Sequence, residues 1–191
     1  MSRVKPVAVV DVDDTLTIFR SAYLSWARAR LPDTPDEDLW SDARINEFVR
    51  EAHPSVFTPT PGSQGAIERI ANEYRVLAVS ARDDDLHDYT VRLLDYHFSG
   101  SFSRDDVIHV GHSNGTPLAC KLETVVASGF EPAFIVEDRF ATAATYAQAG
   151  IRAFHIGRIP TEGLGASEYL TSFPTHAEAW RAIPGLVSGR R

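Results

Sequence analysis

The chain has a single cysteine, Cys120, and a single methionine in 191 residues. One thiol closes no internal disulfide and builds no thiolate zinc site, so the expected compartment is a reducing one, the cytoplasm. The seven histidines show neither HxH nor HExxH spacing, which removes the common imidazole zinc motifs. No apolar run is long enough to span a membrane, and the start, Met1-Ser2-Arg3-Val4-Lys5-Pro6, carries no apolar signal region. Basic residues are few: 19 Lys and Arg stand against 26 Asp and Glu, for a net charge of -7. That balance argues against a broad nucleic-acid footprint and leaves room for one small phosphorylated substrate. Repeats and low-complexity tracts are missing too. What is there is ordinary globular composition, 43% hydrophobic, with enough chain to bury a core.

One stretch stands out from that background. Val7-Ala8-Val9-Val10 is the continuous apolar run of a strand buried on both faces. It leads straight into Asp11-Val12-Asp13-Asp14-Thr15. In an extended chain Asp11 and Asp13 point to the same side, and like charges so close repel unless a cation or a proton intervenes. Four more short apolar runs follow, Arg75 to Arg82, Asp106 to Gly111, Ala133 to Arg139 and Ile151 to Gly157, with helical patterns between them. The expected fold class is therefore α/β: a doubly wound, Rossmann-like parallel sheet of five strands flanked by helices. The interval between the first two runs holds two extra helices, one within 17–30 and one over Asp36 to Ala52, the latter with Asp36 as N-cap. It reads as a small helical cap, residues 17–58, set into a core made of 1–16 and 59–191. A loop is expected over His112 to Pro117. A last helix is expected over Pro174 to Ile183, stopped by Pro184-Gly185 and followed by a basic end, Arg190-Arg191.

In a parallel sheet, the polar residues that end these runs gather on one edge, where open α/β sheets bind ligands. The first run contributes Asp11 and Asp13, the second Ser80 with Arg82 two residues on, and the fourth Glu137 and Asp138. Lys121 starts the helix before the fourth run. Several carboxylates, a hydroxyl and an ammonium in one crevice suit a hard dication, Mg2+, and a phosphate group. The expected metal ligands are Asp11 and Asp138, with Glu137 holding a coordinated water and Asp13 contributing its backbone carbonyl.

These residues resemble the motifs of the haloacid dehalogenase superfamily. Asp11-Val12-Asp13-Asp14-Thr15 is similar to its DxDxT signature, Ser80 to the second motif, Lys121 to the third and Glu137-Asp138 to the acidic fourth. Their order and separation agree over roughly residues 7–157. Asp14 stands where glycine is commoner. The resemblance implies a Mg2+-dependent phosphomonoester hydrolase. Asp11 would attack phosphorus to form an aspartyl-phosphate, and Asp13 would act as general acid and then base. Ser80, Ala81, Arg82 and Lys121 would bind the phosphate, Arg82 as a grip on the phosphate or the leaving group. Layout and cap length resemble the 5'(3')-deoxyribonucleotidases. Ser80-Ala81-Arg82 and the ending at Arg139 resemble the phosphatase domain of polynucleotide kinase–phosphatases. The Glu-Asp pair is similar to the beta-phosphoglucomutase-like branch, which keeps a phosphotransferase or mutase open. The expected partner is a nucleotide or another small phosphorylated metabolite. A 3'-phosphorylated nucleic-acid end is the less favoured alternative, and no membrane partner is expected.

Overall fold

The computed structural model describes residues 4–111, 117–158 and 167–188, without the side chains of 117–120. Residues 112–116 of the loop expected over 112–117, the Cys120 side chain and the basic end Arg190-Arg191 lie outside the described residues. In chain order the strands are β1 (Val7–Asp11), β2 (Thr17–Ile18), β3 (Thr58–Pro59), β4 (Arg75–Ser80), β5 (Val107–His109), β6 (Pro132–Glu137), β7 (Arg152–Ile156) and β8 (Leu170–Phe173). The helices are α1 (Arg20–Arg30), α2 (Asp36–Leu39), α3 (Asp42–Glu51), α4 (Ser63–Glu73), α5 (His87–His97), α6 (Pro117–Ala127), α7 (Phe140–Gln148) and α8 (His176–Val187).

The main sheet runs β5-β4-β1-β6-β7-β8, and every pairing in it is parallel. β1 is buried along its whole length, and its side chains divide by parity. Ala8 and Val10 join one hydrophobic cluster, with Val76 and Ala78 of β4 and Phe134 and Val136 of β6. Val7 and Val9 join the other, with Leu77, Val79 and Ile135. Helices α4, α5 and α8 cover the first face through residues such as Ile67, Leu93 and Trp180. Helices α6 and α7 cover the second through Val125, Ala143 and Tyr146. This is the doubly wound arrangement the alternation of runs implies. The parity also aims the site. Asp11 and Glu137 continue the odd-numbered series, so both carboxylates face the α6 side.

Among the described residues the sheet has six strands where five were expected. β8 was missed because Leu170-Thr171-Ser172-Phe173 has no apolar run. It is a half-buried edge strand, and an edge strand does not need one. The single helix expected over Asp36 to Ala52 is two. Trp40 turns extended and packs against Tyr23, ring centroids 4.7 Å apart. Ser41 then starts α3, its hydroxyl accepting from the Arg44 amide at 3.4 Å. Helix α8 runs on through Pro184 to Val187. Burial of Ile183, Pro184 and Val187 and a hydrogen bond from the Tyr74 hydroxyl to the Val187 carbonyl at 2.9 Å hold this last turn, against the usual effect of an interior proline.

Between β1 and α4 the chain makes α1, α2 and α3, and the short antiparallel pair β2–β3 draws its two ends together. Phe19, Tyr23, Phe48 and Phe57 are buried there as one aromatic group, with ring centroids 5.3–6.0 Å apart. Asp14 sets the entry to α1. It adopts the left-handed conformation, φ 58°, which explains why glycine suits this position and why Asp is among the few residues that tolerate it. Its Oδ1 accepts from the amides of Phe19 and Arg20, each at 2.9 Å. Asp14→Ala removes that acceptor and keeps the strained backbone, so it should cost about 1–2 kcal/mol by urea denaturation. Asp14→Gly loses the acceptor and relieves the backbone, and should cost less.

Candidate active site

Four chain segments meet at the carboxyl end of the sheet. β1 ends in Asp11, β4 in Ser80 and β6 in Glu137, followed by Asp138. Lys121 reaches in from α6. Its Nζ donates to Asp11 Oδ1 at 2.5 Å and to Glu137 Oε2 at 2.9 Å. All three groups are nearly sealed from solvent: their side chains are 6%, 8% and 3% exposed for Lys121, Asp11 and Glu137. Asp11, Glu137 and Asp138 each offer a carboxylate oxygen, and these oxygens lie within 4.8 Å of one another.

Three carboxylates around one ammonium leave the cluster two negative charges in excess when all are ionised. Burial, then the Glu137 charge, push the Asp11 carboxyl up to about 7, against the pull of Lys121. Burial, then Asp11 and Glu137, push Asp138 up to about 9. Burial acts to lower Lys121, but the two carboxylates outweigh it and hold the ammonium above its usual range. The shifts have two sources: burial, which penalises each charge, and more negative charge than the one ammonium balances. Hard oxygen donors at this spacing, short of two positive charges, fit a small dication.

A folded-state pKa above the unfolded value makes ionisation cost stability as pH rises. Asp11 and Asp138 start from 3.8 when unfolded. Their stabilising protons are therefore fully present below that pH and are lost as pH climbs through about 7 and about 9. His109 and His155, pushed down by burial, act in the opposite sense, but only below their ordinary 6.5. Metal-free protein should therefore lose thermal stability between pH 7 and 9. Mg2+ should raise the melting temperature more at the upper end, where fewer protons compete with it. Calorimetry at the two pH values, with and without Mg2+, checks both signs.

Asp13 does not join Asp11 at Lys121. The strand ends at Asp11 and the chain turns at Val12, so the extended alternation stops before Asp13. Its carboxylate meets Arg82 instead: Nε donates to Oδ2 at 3.0 Å and Nη2 to Oδ1 at 2.6 Å. It is also outside the three-carboxylate group. Ser80 is buried, and its Oγ accepts from the Arg82 amide at 3.2 Å. Ala81 between them is half-buried.

Further contacts surround the site. Thr15 donates to Asp138 Oδ1 at 3.3 Å. The amide of Arg139 donates to Glu137 Oε1 at 3.1 Å. His155 is buried in β7 with Nε2 3.1 Å from the Asp138 carbonyl and Nδ1 3.2 Å from the Ser172 hydroxyl. A carbonyl only accepts, so Nε2 carries the proton and Nδ1 takes the hydroxyl's. His176, at the start of α8, donates likewise from Nε2 to the Asp14 carbonyl at 2.7 Å. A histidine within an apolar strand gives no hint of which backbone carbonyl it will hold.

No protein-family model matches the chain, and no curated protein matches it. Solved structures do. A haloacid dehalogenase-like family hydrolase from Xanthomonas campestris aligns over 100% of both chains with a TM-score of 0.64 at 14% identity. A haloacid dehalogenase-superfamily hydrolase of subfamily IA from Geobacter sulfurreducens aligns over 96% of this chain and 100% of its own, with a TM-score of 0.58 at 16% identity. CbbY from Rhodobacter sphaeroides, solved in complex with phosphate, aligns over 92% and 96%, with a TM-score of 0.59 at 14% identity. At such identities the likeness is one of fold. The chain has the haloacid dehalogenase-type α/β fold, and its acidic cluster lies at the carboxyl end of that sheet.

Proposed function

We propose that the protein is a Mg2+-dependent phosphomonoester hydrolase that works through an aspartyl-phosphate on Asp11. The observation that carries this reading is the group of buried Asp11, Glu137 and Lys121 with half-buried Asp138. It joins a nucleophile, an ammonium and an oxygen-donor set short of two positive charges. Asp11 and Asp138 would hold the dication directly, Glu137 through a water, and Asp13 through its backbone carbonyl. When bound, the ion supplies positive charge beside the transferring phosphoryl oxygens.

The protein's own groups account for the bond changes. An Asp11 carboxylate oxygen attacks phosphorus in line, and the bond from phosphorus to the leaving oxygen breaks. Asp13 gives that oxygen its proton. Asp13 then takes a proton from water, the water oxygen attacks phosphorus, and the bond to Asp11 breaks. Lys121 favours the ionised form of Asp11 and offers charge to the phosphoryl oxygens. The Ser80 hydroxyl accepts from the Arg82 amide, which leaves its own proton for a phosphate oxygen. In phosphoryl transfer such positioning and charge make up most of the catalysis.

Residues 17–58 serve in this reading as the cap and 1–16 with 59–191 as the core. The substrate is a nucleotide or another small phosphorylated metabolite, handled in the cytoplasm. The net charge of -7 disfavours a polymer, and among the described residues no helix is long and apolar enough to cross a membrane. A phosphate-release screen with Mg2+ over nucleotides, sugar phosphates and 3'-phosphorylated oligonucleotides tests the reading. Release from small monoesters supports it. Release from oligonucleotide ends alone would move the substrate to nucleic acid. Transfer to an added sugar acceptor without free phosphate would make the protein a phosphotransferase.

A further inference from the structure

We infer that Arg82 is a positioning residue for Asp13 and takes no part in gripping the phosphate. An arginine that binds phosphate does so with its planar fork of N–H groups. Here that fork is committed to both oxygens of Asp13, at 3.0 and 2.6 Å. A third donor, Nη1, goes to the Thr90 hydroxyl at 3.2 Å, and Thr90 passes its own proton to the Leu86 carbonyl at 3.1 Å.

The guanidinium is also walled in. Its central carbon lies 5.9, 5.7 and 5.8 Å from the ring centroids of Phe19, Phe57 and Tyr89. The Arg82 side chain is 3% exposed, against 27% for Asp13. The rigid member of the pair is thus the arginine, and the carboxylate is the one that looks outward. Phe19 and Phe57 flank the two ends of the inserted segment, beside β2 and β3. The seating of that segment therefore fixes Arg82, and Arg82 fixes the carboxylate. The inference rests on the phosphatase reading and deepens it: Asp13 is aligned for both proton transfers by a partner on β4's exit.

Nitrophenyl phosphate separates the two roles, because its leaving group needs little help from a proton. With the full-length protein and Mg2+, Arg82→Ala should still form the aspartyl-phosphate and then stall, since misaligned Asp13 no longer activates water. The expected trace is a nitrophenolate burst of about one equivalent per site, then turnover roughly 10²-fold slower than wild type. Inhibition by orthophosphate should stay within about threefold of wild type. No burst, together with orthophosphate inhibition weakened by more than about tenfold, would assign Arg82 to the phosphate and overturn the inference. So would wild-type turnover. Should Arg82→Ala fail to fold, Arg82→Lys keeps the charge, loses the fork and must give the same pattern. If the wild-type protein turns over no nitrophenyl phosphate, the phosphatase reading itself falls and this inference with it. An active wild type beside a variant without a burst removes the inference alone.

Discussion

Asp11→Asn should abolish phosphate release, with kcat falling on the order of 10⁵–10⁶-fold, the scale set by removing a covalent nucleophile. The amide keeps the shape of the carboxylate, so the fold should survive. Nothing else in the cluster can replace it. Glu137 is engaged by Lys121 and by the Arg139 amide, and Asp138 accepts from Thr15. Asp13 has both of its oxygens engaged by Arg82. The variant also removes one negative charge from a cluster that has two in excess, so metal-free Asp11→Asn should be no less stable than wild type. A variant that keeps its melting temperature and loses all turnover separates chemistry from folding. Residual turnover within about tenfold of wild type would mean that Asp11 is not the nucleophile.

Lys121→Met is the second large effect, and it acts on stability as well as rate. The ammonium is the one cation contacting Asp11 and Glu137 among the described residues, and both carboxylates are buried. Removing one partner of a buried ion pair leaves uncompensated charge, at a cost on the order of 3–5 kcal/mol. Here the carboxyl of Asp11, already pushed up to about 7, can take a proton and blunt that loss. Metal-free Lys121→Met should therefore lose about 3 kcal/mol at pH 8 and less at pH 6 by urea denaturation. Added Mg2+ should restore part of the loss. It should not restore the rate, because in the proposed mechanism the lysine also lends its charge to the phosphoryl oxygens: kcat should stay down by about 10²–10³-fold. A loss of stability that does not depend on pH would contradict the charge account of this cluster.

The placement of Asp11, Ser80, Lys121 and Glu137-Asp138 on one edge was legible because β1, β4 and β6 are buried on both faces and read as continuous apolar runs. Each run stops where the polar residues begin, and parallel order brings the stops together. β8 escaped because an edge strand carries no such run. The break at Trp40-Ser41 escaped because Leu39, Trp40 and Ala43 keep a helical spacing across it, while the Tyr23 ring draws Trp40 out of register. Asp13 and Arg82 lie 69 residues apart, and no local pattern tells whether an arginine beside a phosphate motif will hold the substrate or the neighbouring acid. That choice belongs to packing: Phe19, Phe57 and Tyr89 close around the guanidinium. His155 and His176 are set the same way, by which carbonyl tertiary structure brings to them.

The most direct test of the whole account is a chemical trap. Protein incubated with a hydrolysable phosphomonoester and Mg2+, quenched in acid and digested, should yield one peptide heavier by a single phosphoryl group. Fragmentation should put that group on Asp11, and chelation of the metal before mixing should remove it. A phosphoryl group on any other residue, or turnover with no phosphorylated peptide, would contradict it.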